Sequence, residues 1–89
     1  MTVYVDDMLR EARVGYVTDR WSHLLADTRE ELHEFAARLG LKREWFQDHE
    51  TRWHYDVTEA VRERALELGA QPISYPHGTA RITMARRRS

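Results

Sequence analysis

The stretch from residue 27 to residue 40 constrains the fold more than any other, because it carries the whole pattern of an amphipathic helix. Asp27 fits the N-cap, Glu30 three residues later completes a capping-box pattern, and Gly40 fits the C-terminal end. Between them lies one apolar stripe with the spacing i, i+3, i+4 and i+7, made of Leu32, Phe35, Ala36 and Leu39. The pattern predicts a helix from Thr28 to Leu39 that buries one face.

Short extended segments on both sides of this helix predict the sheet against which it packs. Residues 2–6, 20–26 and 71–75 are rich in β-branched and aromatic residues or alternate in polarity, which is typical of strands. Residues 79–84 predict a further edge strand, which could form a hairpin with the segment around Ile73 to Tyr75.

Other segments are less regular or lead into a second helix. Residues 8–19 predict one helical turn at most, and residues 41–53 predict an irregular stretch. An extended segment at 54–57 precedes a helix from Glu59 to Leu68, which Thr58 is expected to cap. The expected fold is α/β: a single small domain with a short sheet of three to four strands and two main helices packed on it.

Length and composition limit the kinds of site that this fold can carry. A chain of 89 residues can bury one small core but not two, and the absence of cysteine excludes disulfides, thiolate metal ligands and a cysteine nucleophile. Apolar runs are far shorter than the roughly 18 residues of a membrane span, and a secretory signal pattern is missing. We therefore expect a soluble, cytoplasmic protein.

Charge is distributed unevenly along the chain. Residues 1–80 carry ten basic and fifteen acidic groups, whereas residues 81–89 carry four arginines and no acid. We expect residues 1–80 to form the α/β domain and residues 81–89 to form a basic, flexible tail. An acidic domain is poorly suited to a phosphate backbone, so contact with nucleic acid is expected only through the Arg86–Arg88 tail.

Histidine and aspartate side chains concentrate at the ends of the predicted strands and helices. Imidazole and carboxylate groups together suit a divalent metal such as zinc or manganese, and they also suit acid–base catalysis. The predicted metal ligands are His23, Asp27, His54 and Asp56. The predicted catalytic residues are Asp6, Asp7 and His33, with His33 also a candidate for supporting the ligands from behind.

Each of these residues also has an ordinary structural explanation. Asp27 can act as an N-cap, and His23 can be a half-buried, hydrogen-bonded histidine that shares a strand face with Trp21 and Leu25. No spacing in the chain matches a strong metal motif such as His-Glu-x-x-His. A third interpretation is that the set forms a buried hydrogen-bond network that only supports the fold.

A series of motifs spans roughly residues 3–75: Val3 to Asp7, Trp21 to Asp27, Glu31 to Ala36, Leu39-Gly40, Trp45 to Gln47, His54 to Val57, Arg64-Ala65 and Gly69-Ala70. Together they carry a resemblance to the DUF4031 family of small bacterial and phage proteins. It implies that the residues named above as candidate ligands and catalytic groups belong to the family pattern, and it implies no activity. Residues 48–52 and the basic tail depart from that pattern.

Two functions remain open at this stage, and so does the question of whether the chain is an enzyme. The first is a metal-dependent hydrolase that acts on a phosphoester or nucleotide, in which the metal acidifies a bound water. The second is a binding module that holds a small molecule or a protein through the aromatic residues Trp45, Phe46 and Trp53. A short sheet also leaves strand edges, which is compatible with a homodimer.

Overall fold

A ten-residue strand, β3 (Val17–Ala26), organises a mixed sheet of five strands. Strands β1 (Val3–Asp6) and β2 (Arg10–Val14) both pair with it in antiparallel fashion, and β4 (Tyr55–Val57) pairs antiparallel with its middle. Strand β5 (Gln71–Ile73) lies parallel to β1. This is a computed structural model that describes residues 2–86, and in that range it confirms the α/β class while adding a strand to the predicted number.

An irregular segment between β1 and β2 interrupts the pairing with β3. Val5 pairs with Leu24 and Arg10 pairs with Trp21. The chain therefore advances five residues from Val5 to Arg10 where β3 advances only three, from Trp21 to Leu24. Only three residues separate β1 from β2, so both follow the same edge of β3, and the two surplus residues form a bulge. Leu9 within the bulge has a φ of 45°, a left-handed conformation that non-glycine residues rarely adopt.

Helix α1 (Arg29–Arg38) begins one residue later than the capping pattern predicts. Thr28 is the N-cap, since its hydroxyl oxygen accepts a hydrogen bond from the Glu31 backbone N–H at 3.2 Å and donates to the Glu31 carboxylate at 2.9 Å. The prediction that Asp27 caps this helix was therefore wrong. The carboxylate of Asp27 instead accepts hydrogen bonds from Tyr4 and from the backbone of Thr2.

Helix α2 (Glu59–Glu67) begins as predicted, with Thr58 as its N-cap. Both α1 and α2 pack on one face of the sheet, where the alternation of β3 and β4 points apolar side chains inward. The large side chains of this core include Trp53, Tyr55, Phe35, Leu24 and Leu32. The side chains of Trp21, His23 and Leu25 alternate onto the opposite face of β3.

Helix α3 (His77–Ala85) replaces the predicted edge strand at residues 79–84. The alternating Thr and Ile residues are typical of a strand, but Thr79 and Thr83 are four residues apart and share one face of the helix, next to His23 and Leu25. The predicted tail begins at Arg81, inside α3. Residues 87–89 lie outside the described part of the chain, so the flexible tail stays a prediction. Within residues 2–86, no helix is long and apolar enough to cross a membrane.

Candidate metal site

Three of the predicted ligands meet on the face of the sheet that α3 covers. His23 on β3 lies opposite Asp56 on β4 in the antiparallel register. His54 precedes Asp56 by two residues and therefore points to the same face. One ligand atom from each of these residues lies within 4.8 Å of the others, and all three side chains are partly buried. The pairing of two short strand segments thus assembles two imidazoles and one carboxylate.

The orientation of the His23 ring is fixed from behind by Asp6. The Nδ1 atom of His23 lies 2.7 Å from Oδ2 of Asp6, and Asp6 is completely buried. Because the ionised carboxylate can only accept, Nδ1 carries a proton, and in the neutral ring Nε2 keeps the lone pair that a metal needs. A carboxylate behind a ligating histidine is a common support in metal sites, where it raises the basicity of the ligand.

Asp6 owes its position to the bulge after β1. Its Oδ1 accepts hydrogen bonds from the backbone N–H groups of His23 at 2.9 Å and Met8 at 3.2 Å, and its Oδ2 accepts one from the hydroxyl of Thr79 at 2.7 Å. Burial pushes the pKa of Asp6 up, but the hydrogen bonds from His23 and Thr79 outweigh it, so the pKa lies below its ordinary value. Asp6 is therefore ionised at neutral pH despite its burial.

His54 is held in the complementary way by a backbone carbonyl. Its Nδ1 lies 2.6 Å from the carbonyl oxygen of Arg52, which can only accept, so Nδ1 carries the proton. In the neutral ring, Nε2 then presents a lone pair to Oδ1 of Asp56 at 3.2 Å. Two such atoms attract each other only when a second proton or a metal ion lies between them.

The separation between His54 and Asp56 fits a shared metal ion. Two ligand atoms about 2.1 Å from one ion, at an angle of roughly 90–110°, lie about 3.0–3.4 Å apart, and the observed distance is 3.2 Å. Burial pushes the pKa of Asp56 up, but when the His54 ring carries both protons its hydrogen bond and charge outweigh burial and leave the pKa of Asp56 below its ordinary value. The carboxylate is thus ionised and able to bind a cation at neutral pH.

A cleft of about 410 Å³ opens beside the two histidines. Its wall includes Thr79 and Thr83 from α3, together with His49 and Arg52 from the loop before β4. Among the described residues that line it, Arg52 is the only lysine or arginine, and no acidic residue takes part. The cleft therefore favours an anionic ligand.

The remaining predicted site residues lie apart from the group formed by His23, His54 and Asp56. Asp27 bonds to Thr2 and Tyr4 at the start of the chain, and exposed Asp7 accepts a hydrogen bond from the Tyr75 backbone N–H at 2.6 Å. His33 lies on α1 at the core side of the sheet, where its Nδ1 is 2.9 Å from the hydroxyl of Tyr55. Burial lowers the pKa of His33.

The aromatic cluster proposed as an alternative binding surface finds no support in the structure. Trp53 is only 4% exposed, and the Arg86 guanidinium lies 3.3 Å from the centre of its ring. Phe46 is half-buried against His33 and Tyr55. Of the three residues only Trp45 is exposed, so they do not form a common patch.

Thr79 and the carbonyl of Arg52 are the contributors that sequence reasoning missed. Thr79 was assigned to an edge strand, and a backbone carbonyl has no signature in the sequence. The i, i+4 spacing of Thr79 and Thr83 was the available signal for a helix with a polar face.

Comparison with known proteins gives a family but no function. The model of the family described as "Protein of unknown function (DUF4031)" matches residues 3–87, which is nearly the whole chain. A search of curated proteins and a search of solved structures each found no match.

Proposed function

Because the chain belongs to the DUF4031 family, whose function is unknown, we propose a function from the site itself: a metal-dependent hydrolase that acts on a phosphoester. The observation that carries the proposal is the convergence of His23, His54 and Asp56 within 4.8 Å, with both histidines already bound through Nδ1. Zinc and manganese are the metals expected for two imidazoles and a carboxylate.

Three protein ligands leave coordination positions open, which is typical of catalytic rather than structural metal sites. A metal held there would lower the pKa of a bound water, and the nearby cleft gives a substrate access to it. Hydrolysis then forms a bond from the water oxygen to phosphorus and breaks the bond from phosphorus to the leaving oxygen. The leaving oxygen takes the electron pair and a proton.

Two residues of the cleft fit the remaining tasks in this reaction. His49 is exposed, with its ring centre 6.1 Å from that of His54, so its imidazole is available to accept a proton from the water. Arg52 offers a guanidinium group, which pairs well with phosphoryl oxygens. His49 and Arg52 belong to the same loop. The backbone carbonyl of Arg52 also orients His54 by accepting a hydrogen bond from its Nδ1.

Metal content is the first test of the proposal. Purified protein, loaded with zinc or manganese and desalted, is expected to retain about one ion per chain by elemental analysis, and His54→Ala is expected to lose it. His77→Ala is the matched control, because His77 is an exposed histidine of α3 outside the cleft. Equal retention by wild type and His54→Ala, or no retention by wild type, would overturn the proposal.

Hydrolysis of phosphoesters is the second test. Metal-loaded protein is expected to release phosphate from a panel of phosphomonoesters, and Arg52→Met is expected to lower kcat/KM by roughly 10- to 100-fold through loss of a charged contact. Arg64→Met on the exposed side of α2 is the control and is expected to match wild type. A metal-loaded protein that hydrolyses none of the panel refutes the catalytic part and leaves the metal site intact.

A further inference from the structure

A second, larger cavity of about 540 Å³ borders the candidate metal site. It is lined mainly by apolar side chains, and Asp56, one of the three candidate ligands, also belongs to its wall. The apolar residues that matter here are Val14, Val17, Trp21, Leu41 and Trp45. Trp45 is 49% exposed and Val14 is 48% exposed, so part of this surface faces solvent without a cover from the described chain.

The apolar cavity begins next to the candidate ligands. Trp21 precedes His23 by two residues on β3, so the two side chains share a face of the sheet and start roughly 7 Å apart. The indole N–H of Trp21 donates a hydrogen bond to the carbonyl of Ala12 at 2.9 Å, which fixes the position of its ring. The fixed indole ring of Trp21 therefore lies close to the group formed by His23, His54 and Asp56.

The lining of the cavity also includes polar side chains. Glu44, Gln47 and Thr58 line it beside the apolar residues, and the Lys42 ammonium lies 5.6 Å from the centre of the Trp45 ring. A lining that combines the indole rings of Trp21 and Trp45 with hydrogen-bonding groups suits a planar aromatic group better than a flexible aliphatic chain.

We propose that this cavity is the subsite for an aryl group of the phosphoester substrate, with the phosphoryl group at the metal and the ring against Trp21 and Trp45. The inference rests on the proposed function and adds the substrate class to it. The aryl group can be a simple aromatic ring or a nucleobase, since both offer a flat face, and the polar lining residues Glu44, Gln47 and Thr58 are able to distinguish them.

Binding of a non-hydrolysable probe tests the subsite without requiring catalysis. Metal-loaded full-length protein is titrated with 1-naphthylphosphonate and with methylphosphonate by calorimetry. The aryl probe is expected to bind at least 10-fold more tightly, and Trp45→Ala is expected to remove most of that difference. Tyr16→Ala is the matched control, because Tyr16 is a 97% exposed aromatic residue outside the cavity lining. Equal binding of the two probes overturns the inference.

Hydrolysis kinetics then separate the inference from the proposed function. The expected result is a kcat/KM at least 10-fold higher for 1-naphthyl phosphate than for glycerol phosphate, with the ratio collapsing in Trp45→Ala through a rise in KM. Hydrolysis of both esters at equal efficiency refutes the aryl subsite and leaves the phosphoesterase standing. Tight, Trp45-dependent binding of the naphthyl probe without hydrolysis of any ester refutes the phosphoesterase and leaves the subsite standing. A nucleoside 5′-monophosphate preferred over the naphthyl ester identifies the ring as a nucleobase, and the reverse preference identifies a simple aryl group.

Discussion

Asp6→Asn is the substitution that tests the proposed site most directly, because it changes one atom of a completely buried side chain. The amide oxygen can keep the place of Oδ1 and its two backbone hydrogen bonds, from His23 and Met8. The amide NH₂ then replaces Oδ2, which accepts from His23 Nδ1 and the Thr79 hydroxyl, both at 2.7 Å. The Thr79 hydroxyl can rotate and accept a hydrogen bond from this NH₂ group. The His23 ring can accept one only if its proton moves from Nδ1 to Nε2.

This change of tautomer puts a proton on Nε2, the atom of His23 that would bind the proposed metal. Changes to residues that support metal ligands typically cost 10- to 100-fold in affinity, so we expect a loss of about 1.4–2.8 kcal/mol in metal binding. Replacement of charged hydrogen bonds by neutral ones is expected to lower the free energy of unfolding of the metal-free protein by about 1–3 kcal/mol.

Calorimetric titration with zinc and urea denaturation without metal measure the two effects separately. Thr79→Val is the companion variant, because it removes one donor from Asp6 but keeps the carboxylate and the His23 tautomer. It is expected to lower stability by about 1 kcal/mol while zinc affinity stays within roughly threefold of wild type. Zinc binding of Asp6→Asn at wild-type strength would refute the assignment of His23 as a ligand oriented by Asp6.

Three other predictions concern stability and its dependence on pH. Because the pKa values of Asp6 and Asp56 lie below the ordinary value of 3.8, the ionised forms stabilise the fold above that pH. The free energy of unfolding is therefore expected to fall as the pH drops through 3.8 towards the lower pKa values of the folded protein. Urea titrations at several pH values measure this decline, and Asp6→Asn is expected to flatten it. Leu24→Ala removes a fully buried side chain and is expected to cost about 2–5 kcal/mol by chemical denaturation; a loss below 1 kcal/mol would contradict the core described above. Arg86 donates to the carbonyls of Trp53 and two other residues across the end of α3, so Arg86→Met should raise amide hydrogen exchange in α3, and unchanged exchange would show that this tie is dispensable.

The sequence predicted those parts of the fold in which local pattern and tertiary packing agree. The stripe from Leu32 to Leu39 and the cap at Thr58 led to α1 and α2 because the same residues set both the helix and its buried face. The choice of N-cap for α1 failed because Asp27 and Thr28 are both good capping residues, and the bond of Asp27 to Tyr4 is a long-range contact. The prediction for α3 failed because its Thr and Ile residues favour strands, and the long-range hydrogen bond from Thr79 to Asp6 has no signature in the local pattern.

The residue types of the candidate site could be predicted from the sequence. Which of the predicted residues lie together and which lie apart could not. Alternation along the segment from His54 to Asp56 correctly placed both side chains on one face. The separation of Asp27 and His33 from them depends on strand register and on which side of the sheet α1 packs, and neither is written in local spacing. The hairpin of β2 was missed because its strand is mostly exposed and has no apolar alternation.

The two surplus residues between β1 and β2 make the candidate site sensitive to a short deletion in this connection. Shortening that connection by two residues would let the pairing with β3 continue without interruption, and the resulting hairpin would be the more regular structure. Asp6 would then lose the gap that admits its side chain, and His23 would lose the acceptor that sets its proton. A shortened chain is therefore expected to fold with its two main helices in place and to lose affinity for the proposed metal. The irregularity in the strand thus gives up regular pairing with β3 and holds the buried carboxylate that sets the proton position of His23.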